Sequence, residues 1–153
     1  MGKHVSLNRL AFSATAHCLT GCTIGEVLGL VLGTVFGWGN TVSVTLAVVL
    51  AFFFGYLLTL RPLLTGGVGL RTALGLAFAS DTLSITVMEI VDNAVVLAIP
   101  GAMEAGLADL LYWTSLALSL ILAFVAAYPV NWWLISRGRG HAVIHAYHGV
   151  RNN

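Results

Sequence analysis

The sequence predicts an all-α fold, a polytopic membrane protein built as a four-transmembrane-helix bundle with both termini cytoplasmic. Three observations carry this. Hydrophobic residues make up 58% of the chain and charged residues only 8%, with a mean hydropathy of +0.93; a soluble domain of this size needs far more charge on its surface. Four apolar runs, each close to or above the ~20 residues that cross a ~30 Å hydrocarbon core, take up most of the 153 residues. All seven Lys and Arg (Lys3, Arg9, Arg61, Arg71, Arg137, Arg139 and Arg151) fall in the N-terminus, the second loop or the C-terminal tail. The positive-inside rule then places those segments, and so both termini, in the cytoplasm. One domain over 1–153 is expected, with no linker or soluble module.

Span one is expected at about 11–36 and carries AHCLTGCTIGE from Ala16 to Glu26. At about 100° per residue, Cys18, Cys22 and Glu26 share one narrow helical face, with His17 about 100° from Cys18. Cys22 sits ~16 Å along the span, close to mid-membrane. Gly21, Gly25, Gly29, Gly33 and Gly37 recur every four residues. Such a small-residue ridge lets another backbone approach closely, because lipid supplies no hydrophobic drive between helices. It predicts central packing of span one, and a homo-oligomer formed through the ridge. The run is too long and too polar for a signal peptide, and thiols at i, i+4 on one helix are poorly aimed for a disulfide.

Span two, about 42–60, has no ionisable residue and is expected to stop at Arg61-Pro62, a lipid-facing wall. Glycines punctuate the loop over 63–70. Span three, about 72–99, is the second polar helix. Asp81, Ser84, Met88 and Asp92 share one face, Thr82, Glu89 and Asn93 an adjacent one. Pro100-Gly101 ends it.

Span four, about 110–135, is apolar apart from Ser115, Ser119 and Asn131, with a kink expected at Pro129. Trp38 and Tyr112-Trp113 mark one membrane interface, and Trp132-Trp133 the other. In a short amphipathic tail over 138–149, His141, His145 and His148 fall on one face. They read either as the polar face of an interfacial helix or as a cytoplasmic metal-capture site.

Four of the six acids, Glu26, Asp81, Glu89 and Asp92, are intramembrane with no Lys or Arg beside them. They must be neutralised by protons, polar partners or a bound cation. The metal reading takes Cys18, Cys22, His17, Met88 and Glu26 as ligands, with Asp81, Glu89, Asp92 and Asn93 supporting them. Thiolate, imidazole and thioether groups favour copper first and zinc second, for metal handling, transport or electron transfer. A second reading is a proton- or cation-coupled transporter or channel using the carboxylates. A third is a non-catalytic membrane subunit, in which the cysteines pack as small hydrophobes. No nucleophile–base pair or nucleotide fingerprint points to an enzyme. No haem is expected, since His17 lacks a second histidine at its depth. The expected partners are the lipid bilayer, further copies of the chain and a metal-handling protein; no nucleic acid is expected.

HCLTGCTIGE in span one, ASDTLSITVMEIVDNAVVLAIPGAM in span three and PVNWWLISRGRGHAVIHAYH at the end resemble a bacterial family of small four-span membrane proteins known only as a domain of unknown function. The resemblance runs from His17 to His148 and implies a bacterial inner-membrane protein with no activity to carry over. It covers His17, Cys18, Cys22, Glu26, Asp81, Glu89, Asp92 and Asn93. A fluorescent protein fused to the C-terminus should be fluorescent, and an alkaline phosphatase fused there inactive. The reverse pattern would overturn the orientation.

Overall fold

A computed structural model describes residues 6–137. These form four helices: α1 (Leu7–Phe36), α2 (Asn40–Thr65), α3 (Leu70–Ala98) and α4 (Leu110–Ser136). The helices are 30, 26, 29 and 27 residues long, each more than the ~20 that cross a bilayer core. All four are apolar enough to span a membrane. His4, His141, His145 and His148 lie outside the described residues.

Local chemistry sets the helix ends. Ser6 caps α1, its hydroxyl accepting from Arg9 N–H at 3.4 Å, and Gly37 stops it in the left-handed region at φ 66°. α2 does not end at Arg61-Pro62 but runs one turn further to Thr65. The Thr65 hydroxyl folds back onto the carbonyls of Arg61 and Pro62, at 3.0 and 3.2 Å, and Gly67, at φ 84°, then turns the chain. α4 is continuous through Pro129. The belt residues are anchored at the helix ends: Trp113 Nε1 donates to Leu107 O at 2.9 Å, Trp132 Nε1 to Asn8 Oδ1 at 3.0 Å, and Arg137 lies 5.0 Å over the Trp133 ring.

α1 is the central helix, packed against α2, α3 and α4. Its glycine ridge meets a stripe of small residues on α2: Gly33 faces Ser43, Gly29 faces Ala47, Gly25 faces Ala51 and Gly21 faces Gly55. Each step of four down α1 is a step of four up α2, as antiparallel helices in register require. A Cβ added at Gly25 would lie 2.3 Å from the Ala51 backbone nitrogen, and one at Gly21 2.7 Å from Gly55 Cα. The two backbones are therefore in contact. α2 is otherwise largely exposed, as expected of a lipid-facing wall.

This corrects the expected route to a homo-oligomer. From Gly21 to Gly33 the ridge is covered by α2 of the same chain, so it offers no face to a second copy. Gly37 is not part of the contact, having nothing within 4 Å of an added Cβ.

Gly25→Ala should lower stability in detergent by about 1–3 kcal/mol, measured by denaturant titration. Gly75→Ala, where an added Cβ meets nothing within 4 Å, should be neutral or stabilising by up to about 1 kcal/mol. Equal effects at both positions would show that the ridge contact does not hold α1 to α2.

Candidate functional site

With the ridge turned to α2, the face carrying Cys18, Cys22 and Glu26 turns to α3. The two helices run parallel, so their polar residues pair rung by rung. Cys18 Sγ donates to Asp81 Oδ1 at 3.9 Å. Asp81 also accepts from Ser80 Oγ at 2.9 Å and lies against Thr59. One turn up, Cys22 Sγ is 4.0 Å from Met88 Sδ, with Glu89 beside it. Another turn up, Glu26 lies against Asp92, and Asp92 Oδ1 accepts a short hydrogen bond from Ser119 on α4. From Asp81 to Asp92 the column rises about 16 Å, across the middle of the bilayer.

The column is buried and poor in hydrogen-bond donors. Cys18, Cys22, Asp81, Met88, Glu89 and Asp92 are all 5% exposed or less. Both carboxyl oxygens of Glu26 and both of Glu89 are buried without a hydroxyl or amide donor. Glu26 and Asp92 can bond to each other only through a proton that they share. No Lys or Arg occurs between residues 10 and 60 or between 72 and 136, so no side-chain cation is at hand to balance an ionised carboxylate, which is expensive at this depth.

At the end of the bundle where α1 and α3 finish, the column opens into a cavity of about 100 Å³, room for a few water molecules. Glu26 and Asp92 line it, with Asn93, Tyr112 and Ser115, and Ala102, Met103 and Ala105 of the α3–α4 loop border it. Asp109 Oδ2 accepts from Gly106 N–H at 2.8 Å and holds that loop closed on itself. The Ser115 hydroxyl is buried and unpartnered. Toward the other end, Asn131 of α4 donates to Thr15 Oγ1 at 3.0 Å and to Ser84 Oγ at 2.8 Å, tying three helices together.

The residues expected as metal ligands have different surroundings. His17 continues the line of the glycine ridge and bonds Thr59 of α2 through Nε2 at 3.1 Å, away from the Cys22–Met88 contact. Glu26 lines the cavity with Asp92. Among the described residues, no three His, Cys, Asp or Glu side chains converge to hold a metal ion. Thr82, two turns from Glu89 on the face shared with Asn93, pairs with the Tyr56 hydroxyl at 2.8 Å. Asn93 stays beside the column, its amide donating to the Glu89 carbonyl at 2.8 Å. Thr15, Thr59, Ser119 and Asn131 were not singled out as site residues, although each is a polar residue in an apolar run.

A four-helix membrane bundle cored by a column of thiols and carboxyls, open at one end, defines the class: a polytopic membrane protein with intramembrane ionisable groups. The chain belongs to the family described as domain of unknown function DUF4396, whose model matches residues 7–140, in keeping with the resemblance seen in its motifs. No curated protein and no solved structure matches it.

Asn131→Ala removes the donor shared by Thr15 and Ser84 and should cost about 1–3 kcal/mol of stability, read from unfolding in detergent. An unchanged unfolding midpoint would mean that the three-helix tie is not structural.

Proposed function

We propose that the protein is a proton-coupled cation carrier of the bacterial inner membrane, working along the α1–α3 column with both termini in the cytoplasm. The observation that carries this reading is Glu26 against Asp92 at the floor of the cavity. Two buried carboxyls in contact, with no cationic side chain near, hold a proton or a cation between them as their means of charge balance. Release of the proton creates the negative charge that admits the cation, so the two ions exchange at one place. Below that pair, Glu89 and then Asp81 offer further proton-accepting groups, and Thr59 links Asp81 to His17. Under the proposed orientation the cavity faces the outside and the Asn131 tie lies toward the cytoplasm.

A transition metal as the cargo, copper before zinc, is favoured by a separate observation, the 4.0 Å approach of Cys22 Sγ to Met88 Sδ. The ligand set is then narrower than the sequence suggests. His17 and Glu26 fall away from it, and the sulfurs remain.

Wild-type protein in vesicles with an internal pH dye should move protons when Na⁺, K⁺, Zn²⁺ or Ag⁺ is added outside, for at least one of these ions. Glu26→Gln and Asp92→Asn should each slow that response by about tenfold or more. Thr82→Val, placed on the α2 side of α3, should leave it unchanged. A response equal in all four proteins, or absent in the wild type for every ion, would overturn the carrier.

A further inference from the structure

The middle of the column differs chemically from its ends. At the cavity the groups are oxygens, whereas at the second rung two sulfurs from different helices meet at 4.0 Å. Cys18, one turn below Cys22, belongs to the same buried cluster, which Ile85, Ala51, Ala123 and Ala127 close off. Glu89, 5% exposed, stands beside the Cys22 thiol, its hydrogen-bonding neighbour. A cluster serving only to fill space has no use for a carboxyl at that point, because a buried carboxyl without a strong donor is destabilising.

The spacing fits a metal ion. At 4.0 Å apart, both sulfurs can reach one ion at metal–sulfur bonds of about 2.3 Å or longer. Thiolate and thioether ligands select soft, closed-shell ions. A tetrahedral zinc site wants four nitrogen, sulfur or oxygen ligands. Among the described residues no three or more His, Cys, Asp or Glu side chains are placed to hold a metal ion, and His17 is bonded to Thr59.

We propose that Cys22 and Met88, with Cys18 as third ligand, bind one soft monovalent metal ion, Cu(I) or Ag(I), in exchange for a thiol proton. This names the cargo of the proposed carrier and rests on that reading for transport, though not for binding. The step is a ligand exchange without redox change. The S–H bond of Cys22 breaks as an S–metal bond forms, the Met88 thioether and the Cys18 thiol, which keeps its proton, each donate a sulfur lone pair, and the Cys22 proton leaves to water. One positive charge replaces another at the sulfurs, so a bilayer site with no counter-cation is charge-neutral for the exchange.

Ag⁺, which does not change oxidation state in air, is the probe for the full chain purified in detergent. The binding isotherm is measured together with silver K-edge absorption and with the protons released to buffer. One Ag⁺ in a sulfur-only shell is expected, weakened at least tenfold by Met88→Leu and lost with the Cys18→Ser/Cys22→Ser double variant. A proton should be released to buffer with each Ag⁺ bound, and Glu89→Gln should keep the sulfur shell. Met88→Leu keeps an apolar side chain of similar size and guards against simple misfolding. Failure of Ag⁺ to bind, or binding unchanged in Met88→Leu and the double variant, would overturn the site. If Ag⁺ does not bind while vesicles still show Glu26-dependent proton movement with another cation, this site falls and the carrier stands. If Ag⁺ binds through sulfur and no vesicle responds, the carrier falls and the site stands.

Discussion

Backbone contact between α1 and α2 is the constraint on which the rest of the bundle depends. Four glycines on α1 and the stripe Ser43, Ala47, Ala51 and Gly55 on α2 bring the two helices so close that a methyl added at Gly21, Gly25 or Gly29 would strike backbone. In lipid such a contact is held by dispersion and by the fit of small surfaces, since water is not there to drive it. Its consequence lies on the other side of α1. With one face sealed to α2, the face bearing Cys18, Cys22 and Glu26 has α3 and α4 as its neighbours and is buried at the bundle's centre. His17 shows where the two faces divide. It lies in line with the glycines and bonds Thr59, while Cys18, the next residue, reaches Asp81.

Burial at that centre has an electrostatic price that the bundle meets unevenly. Asp81 has Ser80, Asp92 has Ser119, and Asn131 satisfies Thr15 and Ser84. Glu26 and Glu89 have no such donor. A purely structural core would replace them with apolar residues and gain stability. Their presence beside a cavity in one case and beside a thiol–thioether pair in the other is the feature that a functional account must explain. The proposed exchange of protons for cations would account for both with one mechanism, because each site would alternate between two states of equal charge.

Much of this was legible in the residues. The spans were readable because a run of apolar residues in lipid must be helical to satisfy its backbone, and their ends were missed by a few residues where caps rather than hydropathy decide, as at Thr65. The polar column was readable because Cys18, Cys22 and Glu26 repeat at a helical step, as do Asp81, Ser84, Met88 and Asp92. The partner of the ridge was also written in the chain, as Ser43, Ala47, Ala51 and Gly55 at the same four-residue step. Alanine and serine are common enough in an apolar span to hide it. Ser119 and Asn131 were visible as polar residues in α4, but their targets lie on α1 and α3, far away along the chain.

By itself the sequence determined the four-helix membrane architecture, the two polar helices and the spacing of each polar row, because hydropathy and the helical repeat are properties of a single segment. Only the tertiary structure decided which rows meet. It gave the glycine ridge to α2, His17 to Thr59, Glu26 to Asp92 and Cys22 to Met88. The physical reason is that a helical wheel sets directions within one helix, whereas the rotation of that helix about its own axis is set by the closest packing available to it. Here that packing is the contact of glycine with the backbone of α2.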